Sequence, residues 1–200
     1  GQYIDLSWKG VRRAYSIANA NSGENKVQLH ICRMPEGKFS HLVFEELAKE
    51  DLLHLHGPHG TFFVRHNSTP LVFIAGGTGF APVKAMVEEL LAQGSERSIY
   101  VYWGASSADG FYSSAPNHWQ EKYNNIQFIP VLSSTDETWS GRRGLVHEAI
   151  LQDFKDMSGF EVYACGSNVM ITAAKKDLLK QGLMSSNFHA DTFLPSNLEN

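Results

Sequence analysis

A glycine-rich segment in the middle of the chain has the composition of an anion-binding turn. It runs Ala75-Gly76-Gly77-Thr78-Gly79-Phe80-Ala81-Pro82, between an apolar run and a stretch with helical spacing, and Pro82 suits a first helical position. Glycines let backbone N–H groups approach a diphosphate, and a helix N-terminus adds its positive dipole end. Three glycines and a threonine in four residues exceed the needs of a tight turn, so the sequence predicts a diphosphate site here rather than a turn without a ligand.

The spacing of these glycines differs from the GxGxxG pattern of the common dinucleotide-binding fold. In that fold an acidic residue after the next strand holds the adenosine ribose, whereas here the next apolar run ends in Tyr102-Trp103-Gly104. The sequence therefore disfavours an ordinary alcohol- or lactate-type dehydrogenase.

A second group of functional side chains lies in Arg13-Ala14-Tyr15-Ser16, within a run typical of a β-strand. Strand alternation puts Arg13 and Tyr15 on one face and Ser16 on the other. The guanidinium can clamp a diphosphate, the phenol ring can stack on a flat heterocycle, and the hydroxyl can bond a ring nitrogen. A half-exposed strand without a ligand carries the same residue types, so this pattern alone leaves both interpretations open.

Cys165 lies between a buried strand and the start of a predicted helix. That position can lower the pKa of a thiol, and it faces the ligand-binding edge of a parallel sheet. The alternative is a small buried apolar residue without chemistry.

The sequence holds nine histidines, and His54, His56 and His59 are the cluster among them. His54 and His56 could share a strand face as metal ligands. A partly exposed strand explains them more simply, so no metal site is predicted.

The elements that must position these residues divide the chain near residue 67. Before it, short β-rich runs alternate with turn residues, which indicates part of an antiparallel barrel. One short helix interrupts the strands, with Ser40 as its predicted N-cap. The predicted strands cover residues 3–6, 13–18, 26–32 and 52–56.

After residue 67, buried apolar strands alternate with amphipathic helices, the pattern of a parallel α/β sheet. We therefore predict two domains, 1–67 and 68–200. Lys84, Glu88 and Glu89 are expected on a solvated helix face. Strands are predicted at 71–75, 98–103, 126–132, 161–164 and 189–193, and helices at 82–93, 116–123, 146–154 and 168–181.

Composition excludes several classes of partner. The net charge is −4 and no basic stripe is present, so nucleic acid is not expected. The apolar runs are far shorter than the roughly 20 residues that cross a bilayer, so no membrane span is expected. Cys32 and Cys165 form neither a disulfide framework nor a CxxC pair, which favours a reducing, cytoplasmic setting. The chain starts in a strand-like pattern without Met, so we expect a fragment.

Six motifs occur in the order seen in the ferredoxin reductase-like flavoenzymes, and the resemblance spans essentially the whole chain. Three segments, at residues 37–40, 57–65 and 164–167, are most similar to the CDP-6-deoxy-Δ3,4-glucoseen reductase branch of that family. The six motifs are Arg13-x-Tyr15-Ser16, Gly37-Lys38-Phe39-Ser40, Gly57-Pro58-His59-Gly60, Gly76-Gly77-Thr78-Gly79, Tyr102-Trp103-Gly104 and Cys165-Gly166-Ser167-Asn168-Val169-Met170.

The resemblance implies an FAD site in the N-terminal domain. It places Arg13 on the FAD diphosphate, Tyr15 against the isoalloxazine and Ser16 near flavin N5. The segment Gly37-Lys38-Phe39-Ser40 would direct backbone N–H groups at the same diphosphate, physically as at the other glycine-rich turn.

The resemblance also implies a nicotinamide-dinucleotide site in the second domain. Thr78 would lie near the nicotinamide, Cys165 beside the carbon that gives up hydride, and Asp191 and Phe193 close to the flavin. Cys165 would position the ring and not act as a nucleophile. Further cofactor-binding residues implied are Gly76, Gly77, Gly79, Gly104, Gly166 and Met170.

The implied activity is hydride transfer from NAD(P)H to bound FAD, followed by release of single electrons to an iron–sulfur centre or another acceptor, with a deoxysugar pathway as one setting. A [2Fe–2S] cluster is possible only in a part absent from this chain, which has no C-x4-C-x2-C run. A free flavin reductase and a non-catalytic nucleotide-binding module are the alternatives.

The choice between NADH and NADPH depends on a loop after the third parallel strand. Ser133, Ser134, Arg142 and Arg143 lie there, and arginines could meet a 2′-phosphate. Solvated loop charge is the simpler interpretation, so NADH is favoured.

Overall fold

Two sheets organise the computed structural model, which describes residues 1–193 and so leaves 194–200 of the predicted second domain outside the described residues. The first sheet is antiparallel and contains β1 (Tyr3–Trp8), β2 (Val11–Ser16) and β3 (His54–His59), in the order β2-β1-β3. β1 and β2 form a hairpin whose two turn residues, Lys9 and Gly10, both have positive φ. Such a turn matches the twist of the strands it joins.

The predicted strand at 26–32 was wrong, since that segment forms only a single bridge between Ile17 and Leu29. The side chain of Asn19 supplies the reason. Its amide nitrogen donates to the carbonyl of Lys26 and its oxygen accepts from the N–H of Gln28. These bonds replace the backbone ladder that a regular strand would need.

Helix α1 (Lys38–Glu45) follows, and Ser40 is not its N-cap as predicted. Gly37 holds that position, and Ser40 lies in the first turn, where its hydroxyl bonds the carbonyl of Gly37 and the N–H of Met34. A Cβ at Gly37 would lie 2.5 Å from the Ser40 oxygen, so close packing explains this glycine.

The second sheet has six strands, β4 (Leu71–Gly76), β5 (Ile99–Ala105), β6 (Ile126–Leu132), β7 (Arg142–Arg143), β8 (Glu161–Ser167) and β9 (Phe188–Phe193). They lie in the order β7-β6-β5-β4-β8-β9, and every neighbouring pair is parallel. The helices between them are α2 (Phe80–Ala92), α3 (Ala115–Lys122), α4 (Val146–Asp153) and α5 (Asn168–Lys180). The observed ends of these strands and helices agree with the predicted ones to within three residues, but β7 was not predicted.

Both faces of this sheet are buried along its central strands β4, β5 and β8, as their continuous apolar runs require. Phe73 of β4 packs on one face with Val87 of α2. Ile74, the next residue, packs on the other face with Ile150 of α4 and Leu178 of α5. The two-part fold expected from the sequence is thus confirmed. Within residues 1–193, no helix combines the length and the apolar composition needed to cross a bilayer.

A buried ion pair anchors the junction between the two sheets. Arg97 and Glu161 lie 3.0 Å apart, with side chains only 7% and 5% exposed. Arg97 also donates to the carbonyls of Arg65 and Thr69, and Asn67 donates to Glu161. The residues around position 67 are therefore tied to the start of the parallel sheet.

Candidate functional site

The glycine-rich loop connects β4 to α2 at the C-terminal edge of the parallel sheet. β4 ends at Gly76, Gly77–Gly79 form one 3₁₀ turn, and α2 begins at Phe80. Pro82 is therefore the third residue of the helix, whereas the sequence predicted it to be the first. Its missing N–H still costs nothing, because the first turn of a helix has no intrahelical acceptors.

Glycine stands at three positions of this loop for different physical reasons. A Cβ at Gly79 would lie 2.1 Å from the carbonyl oxygen of Cys165, and one at Gly76 would lie 2.8 Å from the sulfur of Met170. Gly79 is thus required by packing against the backbone of the β8–α5 connection, whereas Gly76 meets only the flexible end of the Met170 side chain, which can move. Gly77 has φ +53 and open space where its Cβ would stand, so its backbone is accessible to a ligand.

Trp103 holds this loop in place, a role that sequence reasoning missed. Its indole N–H donates to the carbonyl of Gly77 at 3.0 Å. Its ring stacks on Phe80 with the centroids 4.0 Å apart and the planes 12° apart. The signal was present in the sequence, because Trp103 lies near the end of β5, the strand that follows the glycine-rich loop.

The strand register brings most of the predicted nicotinamide-site residues to one edge. Gly76 pairs with Gly104 of β5, and Cys165 of β8 pairs with Ala75 on one side and Asp191 on the other. Gly166 follows Cys165 with φ +156, and a Cβ there would lie 2.6 Å from the terminal carbon of Met170. Phe193 pairs with Ser167 at the end of β9 and is 38% exposed.

Cys165 is fully buried, and burial raises the pKa of its thiol well above the ordinary value. The nearby carboxylate of Asp191 adds to that rise. The expectation that the helix start lowers this pKa was therefore wrong, because loss of solvent outweighs the helix dipole. The pKa of Asp191 is also raised by burial. Cys165 is thus a protonated thiol, suited to packing against a ring and not to attack.

The predicted flavin-site residues lie on β2, beside α1. Tyr15 packs against Phe39 of α1, with ring centroids 5.8 Å apart, and burial raises the pKa of its phenol. Ser16 is buried, while the guanidinium of Arg13 donates to the neighbouring carbonyl of Arg12. The first turn of α1 begins at Lys38, where N–H groups have no acceptor within the helix. Strand and helix start therefore adjoin, as a shared diphosphate site requires.

Lys84 of α2 joins the two parts of the chain, and the solvated helix face predicted for it was wrong. Its side chain is 11% exposed and its ammonium donates to the carbonyl of Ala18 at 3.1 Å and to Gln28 at 3.0 Å. Glu88, one helical turn further on, lies 2.7 Å from the same ammonium. Glu88 and Glu89 are half-buried.

A second link between the two parts runs through His30, which sequence analysis also missed. The ring of His30 stacks on Phe80, directly after the glycine-rich loop, and its Nδ1 lies 2.9 Å from the hydroxyl of Tyr112. Burial and the charge of Lys84 lower the pKa of His30 to about 4, so the imidazole is neutral at pH 7. The segment around His30 therefore meets the first residue of α2, directly after the glycine-rich loop.

The arginines considered for a 2′-phosphate are engaged elsewhere. Arg142 forms an ion pair with Asp153 and bonds the carbonyl of Ala149. Arg143 donates to the carbonyl of Trp139. Ser133 donates to the carbonyl of Ala105. The two arginines form the short strand β7, where both side chains bond neighbouring carbonyls, although Arg143 is exposed.

Comparison with known families identifies both halves of this arrangement. Residues 1–64 match the oxidoreductase FAD-binding domain, and residues 73–176 match the oxidoreductase NAD-binding domain. The chain belongs to the ferredoxin reductase-like family. That family accounts for FAD and NAD(P)H as the cofactors of the two halves.

Individual relatives of this family match the chain over nearly all its length. The CDP-6-deoxy-L-threo-D-glycero-4-hexulose-3-dehydrase reductase of Yersinia pestis is 50% identical over 98% of this chain and 60% of that protein. A probable flavin reductase of Aliivibrio fischeri is 30% identical over 96% of this chain and 84% of that protein. The structure of the Amycolatopsis cytochrome P450 reductase GcoB has a TM-score of 0.89 at 29% identity, over 98% of this chain and 61% of that chain. The chain spans about 60% of the Yersinia relative.

The described residues fit the two cofactors of a ferredoxin reductase-like chain. On the FAD side, a guanidinium, an aromatic ring and a buried hydroxyl adjoin a helix start on which N–H groups are available. On the nucleotide side, the exposed backbone at Gly77 is open to the close approach of a diphosphate.

Proposed function

We propose that this chain passes a hydride from NAD(P)H, at the C-terminal edge of the parallel sheet, to FAD held between β2 and α1. The single observation that carries the proposal is the stacking of His30 on Phe80, by which the FAD-binding half of the chain meets the start of α2 directly after the glycine-rich loop. Two rings that exchange hydride must approach to about 3–3.5 Å, so the two sites must adjoin.

On the FAD side, we assign Arg13 and the backbone of Gly37-Lys38-Phe39-Ser40 to the diphosphate. Tyr15 stacks on the isoalloxazine and Ser16 donates its hydroxyl hydrogen to a flavin nitrogen. The packing of Tyr15 on Phe39 supports this assignment, since it holds the phenol ring in one orientation.

On the nucleotide side, the loop from Gly76 to Gly79 binds the diphosphate and Thr78 lies at the nicotinamide. Cys165 sets the position of that ring by its volume, and Asp191 and Phe193 approach from β9. The register that joins β4, β8 and β9 supports this grouping. Gly104, Gly166 and Met170 complete the site, the latter two through their packing under the loop.

The bound cofactors supply the redox chemistry, and the chain supplies position and environment. Trp103 fixes the loop that holds the diphosphate, and the link through Lys84 fixes the distance between the sites. The protonated thiol of Cys165 adds no charge beside the ring.

We infer that NADH is preferred over NADPH. The engagement of Arg142 with Asp153 and of Arg143 with Trp139 supports this, because a 2′-phosphate would have to displace those bonds. Comparing kcat/KM for the two nucleotides tests it, and a clear preference for NADPH would contradict it.

We further propose a domain boundary near residue 67, with domains 1–67 and 68–200. An iron–sulfur centre outside this chain is the proposed electron acceptor, in a deoxysugar pathway. The identity with the Yersinia reductase supports that setting. A free flavin reductase is the second candidate, favoured by the share of the Aliivibrio protein that the chain covers. FAD that stays bound through purification would argue against it.

The experiment that tests the proposed function compares Gly77→Ala with Gly94→Ala. Both glycines have positive φ, +53 and +68, with nothing within 4 Å of the position that a Cβ would take, but Gly94 lies beyond the far end of α2. Each substitution should cost about 1 kcal/mol of unfolding free energy, because alanine is strained in this region. The pair therefore separates strain from location.

The readout is anaerobic stopped-flow absorbance of the FAD-loaded protein mixed with NADH. The wild type and Gly94→Ala should show rapid bleaching of the flavin band, whereas Gly77→Ala should need at least about tenfold more NADH for the same rate. Bound FAD that NADH and NADPH both fail to reduce in the wild type would favour the non-catalytic module. If the two variants need the same NADH concentration for the same rate, the proposed binding of the diphosphate by this loop is wrong.

A further inference from the structure

Three side chains on the antiparallel sheet bring metal-binding atoms together, away from the glycine-rich loop. Nδ1 of His56 lies 2.8 Å from Nε2 of His59. An oxygen of Asp5 lies 3.7 Å from the same His59 nitrogen and 4.0 Å from the His56 nitrogen. These donors belong to the adjacent strands β1 and β3.

An irregularity in the strand pairing creates this group. Asp5 pairs with His56 and Tyr3 with His59, so two steps along β1 oppose three steps along β3. The extra residue of such a bulge turns the side chain at i+3 to the face of residue i. His54, expected from alternation to share the site with His56, instead lies opposite Ser7 and is not part of the group.

The spacing of the three atoms suits a small tetrahedral ion. Zinc bonds of about 2.0–2.1 Å place neighbouring ligand atoms roughly 3.4 Å apart in a tetrahedron. The three observed separations lie on both sides of that value, so small side-chain rotations would equalise them. Two imidazoles and one carboxylate are a donor set that zinc accepts, with water in the fourth position.

We propose that Asp5, His56 and His59 bind one divalent cation of the zinc class. Asp5 is well placed for this, since its side chain is only 15% exposed and cross-strand pairing fixes its backbone. His59 is held by its contact with the ring of Tyr3, at 5.5 Å between centroids. His56 is the exposed ligand, and it leaves room for water on the open side.

Arg12 competes with the ion for the carboxylate of Asp5. Its guanidinium is paired with the carboxylate of Asp5 that the cation would use. We therefore also expect Arg12→Gln to tighten binding several-fold, because the positive charge beside the ion is removed. Since the ion binds only the folded chain, it should also raise the thermal midpoint.

The test is calorimetric titration of the chelator-treated intact protein with Zn²⁺, in the wild type and in His54→Ala, His56→Ala and His59→Ala. Thermal midpoints without metal establish that each variant folds. The wild type and His54→Ala should bind one Zn²⁺ per chain. His56→Ala and His59→Ala should bind no Zn²⁺, or bind it at least about tenfold more weakly.

Two results would overturn the proposal. The first is Zn²⁺ binding that is unchanged in His59→Ala or absent in His54→Ala, since the ion would then lie elsewhere. The second is no binding by the wild type or by Arg12→Gln up to millimolar Zn²⁺. Neither result would affect the proposed hydride transfer, which is measured separately by flavin bleaching.

Discussion

Replacing Lys84 with methionine should separate the two halves of the active site without removing any cofactor ligand. Methionine keeps most of the side-chain length and volume but removes the ammonium that joins Ala18, Gln28 and Glu88. The link between α2 and the flavin-side segment would then depend on the contacts of His30 alone among the bonds described above. We therefore expect a less stable protein and a less closely set pair of cofactor rings.

The size of the effect follows from the burial of each partner. Ala18 is fully buried, and leaving its carbonyl without a donor costs about 1–3 kcal/mol. Glu88 is 29% exposed and Gln28 is exposed, so each contributes roughly 0.5 kcal/mol. The sum is about 2–4 kcal/mol of unfolding free energy.

Urea unfolding measures the stability and anaerobic stopped-flow measures flavin reduction at saturating NADH. Lys176→Met is the matched control, because Lys176 lies exposed on α5. Lys84→Met should be about 2–4 kcal/mol less stable than this control. It should also reduce flavin about tenfold more slowly, since small misplacements of reacting rings are costly. If both variants lose less than about 0.5 kcal/mol and keep the wild-type rate, the link has no role.

Three further outcomes are expected from single substitutions. Gly79→Ala should destabilise the protein by at least about 3 kcal/mol, because its methyl group would meet the carbonyl of Cys165, which as backbone cannot move aside. Urea unfolding measures this loss relative to Gly94→Ala, and a loss near 1 kcal/mol would contradict the close packing at Gly79. Cys165→Ala should slow flavin reduction about 10–100-fold at saturating NADH with FAD affinity unchanged, as stopped-flow and flavin titration would show; an unchanged rate would remove its positioning role. Between pH 7.5 and pH 5, His30→Gln should lose about 1 kcal/mol less stability than the wild type loses. The folded pKa of His30, about 4, lies below the ordinary value, so the unfolded chain takes up the proton first as pH falls, and partial solvation reduces the effect. Urea unfolding at both pH values measures the difference, and equal losses in the two proteins would refute the prediction.

The amino-acid sequence by itself determined the two-part fold and the position of the glycine-rich loop. Continuous apolar runs alternating with helical spacing can bury both faces only in a parallel sheet with helices on either side. The C-terminal ends of such strands meet at one edge, so Gly76, Gly104 and Cys165 had to become neighbours. These features depend on local period and direction, which a linear pattern contains.

Only the tertiary structure decided the charge state of Cys165, the partners of Lys84 and the grouping of His56 with His59. The thiol pKa depends on how much solvent the surrounding chain removes, which local sequence does not specify. Lys84 has the spacing of a solvated residue and meets Ala18 only because distant segments pack together. The histidines meet through one extra residue in a strand pairing, and register is a property of two strands together.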